Sequence, residues 1–213
     1  MLAGCKRALA LVEGVYDYAL LKGLLSGVMS VVLESDGWRL YDTLRRCGGC
    51  LVVHTVNGIR NMGEKTVRLV LYRVKTLPGG NCLTAVVDSD EQEPRNRLEL
   101  LWRRLDAVVK LYRAVDAAES GGGHFAYRCI SPRRGVLPRL CIASWSCSAE
   151  CWIASALPGC DAGMRRRCKA CLHADAGGKI GLEEAARAVA EALESGGPAA
   201  GPLQGLRRRL LDP

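Results

Sequence analysis

The chain has 213 residues, 49% apolar and 24% charged, which is the usage of one globular domain with a full core plus a smaller annex, and it excludes disorder. Thirty Lys and Arg against 22 Asp and Glu leave a net charge of +8, which favours an anionic partner, nucleic acid first. Every apolar run is broken by a charge, Gly or Pro before it could span a bilayer, and Lys6, Arg7, Glu13 and Asp17 interrupt the first residues. No membrane span and no secretory leader are therefore expected, and the expected location is cytoplasmic.

Residues 8–12 are a short apolar run that reads as a buried strand, closed by a tight turn at Glu13-Gly14. Helical spacing follows through Tyr16, Leu20, Leu21, Leu24 and Leu25. After the break at Gly27, residues 28–33 read as a second strand, and Asp36 is a candidate cap for a helix over 38–46. Residues 50–56, rich in β-branched side chains, form the third strand; a helix over 64–74 follows and stops at Pro78-Gly79-Gly80. The apolar strand 83–87 runs straight into Asp88-Ser89-Asp90. After Pro94, one helical face carries Leu98, Leu101, Trp102, Leu105, Val108, Val109 and Tyr112, with Arg97, Arg103, Arg104 and Lys110 elsewhere. Past the Gly121-Gly122-Gly123 loop, residues 125–130 and 140–144 are further strands, and Glu150 opens a helix. From about residue 158 the composition turns to Cys, Arg and Gly, then to an Ala/Glu helix over 182–193 and a basic segment over 203–211. Alternating strands and helices predict an α/β fold, a mainly parallel sheet with helices on both faces. The expected domain covers residues 1–157, with a Cys/Arg-rich and helical extension over 158–213.

In such a sheet the residues just past the carboxyl ends of the strands share one edge. Glu13 ends the first strand, and Asp88 and Asp90 end the strand that begins at Leu83, so pairing of those strands would bring three carboxylates together. Their repulsion calls for a cation, and hard oxygen ligands suit Mg²⁺ or Mn²⁺, with phosphate oxygens joining the shell. The plainer account is that Glu13 and Asp17 favour a helix N-terminus while Asp88 and Asp90 form a polar turn. Glu150 could add a fourth acid, although its place in the first turn of a helix has the same plain account.

Val12-Glu13-Gly14-Val15-Tyr16-Asp17, followed by Ala19-Leu20-Leu21, resembles the first motif of the Toprim domain in its bacterial primase form. Asp88-Ser89-Asp90 after an apolar strand resembles the Asp-x-Asp motif of the same family. The resemblance spans about residues 8–145 and rests on these two motifs and their order. It implies a Toprim-like fold in which Glu13 acts as general acid or base and Asp88 and Asp90 bind a divalent metal. It also implies that Gly14 closes the turn and that Asp17 supports the site from the following helix. Ser89 stands where primases carry Gly, and Glu91-Gln92-Glu93 replaces their Ala-Gly pair, which points away from primase activity. The segment from Val52 to Leu71 is closer to the OLD nucleases, and a small archaeal Toprim family is a further candidate.

Gly58 to Gly63, followed by Glu64-Lys65-Thr66, approaches a P-loop, but Glu64 interrupts the Gly-Lys-Thr that cradles phosphates. Lys65 remains as a point charge that could meet a phosphate at a helix N-terminus. Among the 11 cysteines, Cys82, Cys129 and Cys141 lie in or beside apolar strands and read as buried small hydrophobes. Cys47-Gly48-Gly49-Cys50 has the spacing of a zinc knuckle or a redox pair. Cys168-Lys169-Ala170-Cys171 repeats it, with His173 beyond and Cys147, Cys151 and Cys160 upstream; zinc, disulfides or plain thiols all fit these residues. Four Asn and two Gln, with Arg well ahead of Lys, suit a thermophile, in which intracellular disulfides are common. His54 reads as a core or edge residue of its strand, and His124 as a loop side chain able to approach the crevice.

The runs Arg45-Arg46, Arg103-Arg104, Arg133-Arg134, Arg165-Arg166-Arg167 and Arg207-Arg208-Arg209 read singly as solvated faces and jointly as a grip on a nucleic-acid backbone. The expected function is Mg²⁺-dependent cleavage of a nucleic-acid phosphodiester, a hydrolase of the nuclease kind. The alternatives are a non-catalytic Toprim module that binds nucleic acid or a protein, and a zinc- or disulfide-stapled interaction protein.

Overall fold

The computed structural model describes residues 2, 4, 5, 7–73, 81–90, 92–112, 125–131, 137–160, 165–174 and 180–211, with backbone alone at 72, 73, 165–167, 173 and 174. Lys6, the Pro78-Gly79-Gly80 break, Glu91, the glycine loop with His124, Arg133-Arg134 and the side chains of Arg165, Arg166, Arg167 and His173 lie outside the described residues.

The elements in chain order are β1 (Arg7–Val12), α1 (Val15–Leu24), β2 (Val31–Leu33), α2 (Leu40–Arg46), β3 (Leu51–Thr55), α3 (Gly58–Arg68, continued by a π turn over Leu69–Arg73) and β4 (Asn81–Asp88). They continue with α4 (Pro94–Arg104), α5 (Asp106–Val109), β5 (Phe125–Ile130), β6 (Arg139–Trp145), α6 (Ala149–Ala156), α7 (Arg165–Ala174), α8 (Leu182–Ser195) and α9 (Ala200–Leu211). One six-stranded sheet has the order β2-β3-β1-β4-β6-β5. All its pairings are parallel except that of β5, which runs antiparallel to β6 at the edge. Central β1 is flanked by β3 and β4, with Ala10 opposite Val53 on one side and Thr84 on the other. Every residue of β4 is buried, as a strand covered on both faces requires. The α/β architecture with helices on both sides is thus as the alternation of elements predicts.

Two apolar cores lie on opposite faces of the sheet. One joins Leu20, Leu21 and Leu24 of α1 to Ile153 of α6, Val189 of α8 and Leu203 and Leu206 of α9. The other joins Leu40 and Leu44 of α2, Met62 of α3, Leu98 and Leu101 of α4 and Val108 of α5. Helices from beyond residue 157 therefore share a core with α1. At Gly23 the approach of α8 is so close that a Cβ would lie 2.5 Å from the Ala186 carbonyl oxygen and 2.6 Å from Val189 Cβ.

Two local expectations change. The helix expected over 64–74 begins at Gly58, so the stretch that approaches a P-loop is itself helical and offers no phosphate-cradling loop. Lys65 falls in the last turn of α3 rather than at its N-terminus. Gly63 serves close packing there, since a Cβ would lie 3.0 Å from Arg104 Cβ of α4. The arginine pairs Arg45-Arg46 and Arg103-Arg104 occupy the last turns of α2 and α4, where cations complement the carbonyl ends of a helix. Because each helix returns from a strand's carboxyl end, both pairs stand at the amino edge of the sheet, away from Glu13 and Asp88. They do not surround the acids.

Candidate functional site

The chain leaves β1 for α1 on one face of the sheet and leaves neighbouring β4 for α4 on the other. Adjacent strands whose connections part in this way open a crevice at their carboxyl ends. Glu13, the residue after β1, and Asp88, the last residue of β4, stand at that crevice. With Leu11 opposite Ala85, Glu13 falls level with Val87, one residue short of Asp88.

Arg97 of α4 ties the acids together. Its Nη2 lies 3.6 Å from Glu13 Oε1 and 3.9 Å from Asp90 Oδ2, and its Nε donates to the Asp88 carbonyl oxygen at 3.1 Å. The Glu13 and Arg97 side chains are 16% and 17% exposed, so this contact is partly withdrawn from water. Asp88 is buried and its carboxylate is aimed by the Trp145 indole, which donates to Oδ1 at 2.8 Å across the register pair of β4 and β6. Three residues predicted for the site, Glu13, Asp88 and Asp90, are therefore gathered around one guanidinium.

Asp17 and Glu150 extend the negative field. Asp17 is buried, and its Oδ2 accepts the Gly14 N–H at 2.8 Å, closing the turn into α1. Burial first, then Asp88, Glu150 and Glu13, push its carboxyl well above the ordinary range, against the lowering effect of the Gly14 hydrogen bond. Glu150 likewise helps burial to raise Tyr16, which places it at the same end of α1, and its Oε1 lies 3.9 Å from Lys169 Nζ of α7. Gly14 itself has φ −141°, ordinary extended backbone, so the turn closes without any special glycine conformation. Lys65 is one strand away, lining an open cleft past β3 with Asn57, Asn61 and Arg68. His54 is buried in β3 with Nδ1 2.6 Å from the Glu34 carbonyl oxygen, the structural role expected of it.

Asp90 has φ 56° and Cys147, just past β6, has φ 60°; the two pair in an isolated antiparallel bridge, with the Asp90 N–H donating to the Cys147 carbonyl at 2.9 Å. Left-handed backbone is tolerable for Asp and unusual for Cys. The conformation of an acid in the crevice is thus fixed by a cysteine on the neighbouring strand end.

Five cysteine pairs stand at disulfide distance: Cys5 with Cys82, Cys47 with Cys50, Cys129 with Cys141, Cys147 with Cys151, and Cys160 with Cys171. Cys82, Cys129 and Cys141, expected as buried small hydrophobes, are buried but also paired; Cys129 and Cys141 face each other directly across β5 and β6. Among the described residues, the metal-ligating side chains whose ligand atoms all lie within 4.8 Å of one another are Cys147, Cys151 and Cys168. The carboxylates of Glu13, Asp88 and Asp90 do not form so tight a group: those of Glu13 and Asp90 face Arg97, and that of Asp88 faces Trp145.

Arg97 and Trp145 escape the sequence reading. The signal for Arg97 is its distance from the motif: Pro94 opens α4, so position 97 is still in the first turn and faces the strand end it has just left. Compared with protein-family models, curated proteins and solved structures, the chain matches none.

Proposed function

We propose that the crevice of Glu13, Asp88 and Asp90 is a Toprim-like site that cleaves a nucleic-acid phosphodiester with the help of Mg²⁺ or Mn²⁺. The observation that carries this reading is the meeting on Arg97 of the Glu13 and Asp90 carboxylates and the Asp88 carbonyl oxygen at the crevice between β1 and β4, backed by Asp17 and Glu150. Burial first, and then the neighbouring acids Asp88, Glu150 and Glu13, raise Asp17, which supports a crowded negative field at this strand edge. The donor set is all carboxylate, which suits a hard divalent ion held by Asp88, Asp90 and Glu13. Such an ion, when bound, supplies polarisation of a phosphate oxygen and offsets the charge that develops on it. Glu13 has a part-exposed carboxylate able to take a proton from water or return one to the leaving oxygen. Arg97 would supply a guanidinium to a phosphate oxygen, and Trp145 holds the Asp88 carboxylate in one orientation.

The test is incubation of the purified chain with single- and double-stranded DNA and RNA in Mg²⁺, Mn²⁺ or chelator. Metal-dependent cleavage is expected, with Glu13→Gln slowing it by about 10²–10⁴-fold, the range of a lost acid–base group. Cleavage that survives chelator, or a Glu13→Gln variant as fast as the parent, refutes the reading. The contacts of Arg97 with Glu13 and Asp90 favour a second reading, a Toprim module that binds nucleic acid or a protein without turnover, the guanidinium standing where the cation would. Retention of nucleic acid with no cleavage under any metal selects that one.

A further inference from the structure

We propose that in the reduced chain Cys147, Cys151 and Cys168 form a zinc site at the junction of β6, α6 and α7, separate from the carboxylate crevice, with neighbouring Cys160 as the fourth ligand once its pair with Cys171 is open. The sulfur atoms of Cys147, Cys151 and Cys168 lie within 4.8 Å of one another, and each comes from a different structural context. Cys147 sits in the turn after β6, Cys151 in the first turn of α6, and Cys168 in α7. Cys168 is fully buried, Cys151 is 6% exposed, and Cys160 packs against the same group. An open pocket lined by Cys147, Cys151, Cys160, Trp152 and Pro202 joins the cluster to solvent and gives an ion a way in.

Two pairs at disulfide distance, Cys147 with Cys151 and Cys160 with Cys171, use three of these four sulfurs, whereas a zinc ion would use Cys168 as well. Once reduced and parted, these thiolates would hold zinc at Zn–S distances of about 2.3 Å, and four sulfur ligands make the closed, non-catalytic kind of zinc centre. The two occupancies are exclusive: zinc needs the reduced thiolates, and oxidation of Cys147 with Cys151 would expel the ion. The site also accounts for the left-handed Cys147. A residue held at φ 60° persists where its surroundings over-determine it, and here a metal bond on Sγ would act with the hydrogen bond from Asp90. Fixing Cys147 fixes the backbone of Asp90, so the zinc centre would brace one wall of the crevice.

The experiment uses the full chain, purified under reductant. Metal content is measured by plasma mass spectrometry before and after a mercurial, and the zinc-stripped protein is titrated with Co²⁺. One zinc per chain is expected, released by the mercurial, with a cobalt spectrum showing thiolate charge transfer and tetrahedral d–d bands. Cys168→Ser and Cys147→Ser are expected to lose stoichiometric zinc, and Cys47→Ser to keep it. A reduced chain that takes up no zinc, or a Cys168→Ser variant that retains it fully, overturns the proposal. Should the serine variants fail to fold, the cobalt spectrum of the unaltered chain still decides: fewer than three thiolate ligands refutes the site. None of these readouts involves a substrate, so failure here and failure of the phosphodiester reading are told apart.

Discussion

Asp17 is a carboxylate in the wrong solvent: buried, in the field of Asp88, Glu150 and Glu13, and with one oxygen, Oδ1, that has no hydrogen-bond partner among the described residues. Its carboxyl is held well above the ordinary value, so the folded chain binds a proton there more tightly than the unfolded chain. Its stabilising effect is whole below the unfolded pKa near 3.8 and is lost as pH rises through the raised folded value. Asp17→Asn keeps an oxygen to accept the Gly14 N–H and removes the ionisation. We expect this variant to melt above the parent at pH 8, with the gap closing as pH falls toward 4. Each unit of pKa difference is about 1.4 kcal/mol, which for a chain of this size is roughly 3–5 °C in Tm. A parent and variant whose Tm values run parallel with pH would show that Asp17 is not the strained group. The acids themselves are legible in the sequence, because an acid right after an apolar strand can only fall at a carboxyl edge. Arg97 and Trp145 are not, because their partners are set by how α4 turns back and by the register of β6 on β4.

At the level of elements, periodicity finds the strands and most helices, and the misses have local causes. The start of α3 is missed because Gly58 and Gly63 read as loop glycines. Gly58 does turn the chain at φ 77°, but Gly63 is inside the helix and exists for the contact with Arg104. Helix α7 is missed because arginines and cysteines give no apolar stripe; its buried face is Cys168 and Leu172. Gly23 offers a sharp test of helix packing. A methyl there would meet a backbone oxygen and Val189 Cβ inside contact distance, so α1 and α8 must part. Gly23→Ala gains about 1 kcal/mol of helix propensity but incurs overpacking of about 1–3 kcal/mol or more, because backbone cannot swing aside as a side-chain tip can. We expect a net loss, read as a Tm several degrees lower. Gly205→Ala in α9, where no atom lies within 4 Å of the added methyl, is the matched control and should raise stability by about 0.5–1 kcal/mol. Equal behaviour of the two variants would contradict the close α1–α8 approach.

Across the whole molecule, composition alone gives the charge but not its arrangement. Two arginine pairs stand at the amino edge of the sheet and the acids at the carboxyl edge, so net charge does not point to where an anion would bind. The division of labour beyond residue 157 is likewise hidden, since an Ala/Glu helix reads as a surface helix. What requires it is α1, in which Tyr16, Tyr18, Ala19, Leu20, Leu21, Gly23 and Leu24 are all buried. A helix buried nearly all round cannot lie on a sheet with its back to water, and α8 and α9 supply the covering layer through Val189, Leu193, Leu203 and Leu206. A chain ending at residue 157 would expose that back. Uncovering two leucine-sized faces costs about 3–6 kcal/mol, against a total stability on the order of 5–15 kcal/mol. We therefore expect the 1–157 fragment to lack a cooperative thermal transition and to aggregate, although it contains the entire sheet and both acidic motifs. Adding residues 180–211 back as a separate peptide should restore a transition if the missing layer is the cause. A fragment that melts sharply as a soluble monomer would instead mean that α1 tolerates water, and that the helices beyond residue 157 only rest on a core already closed.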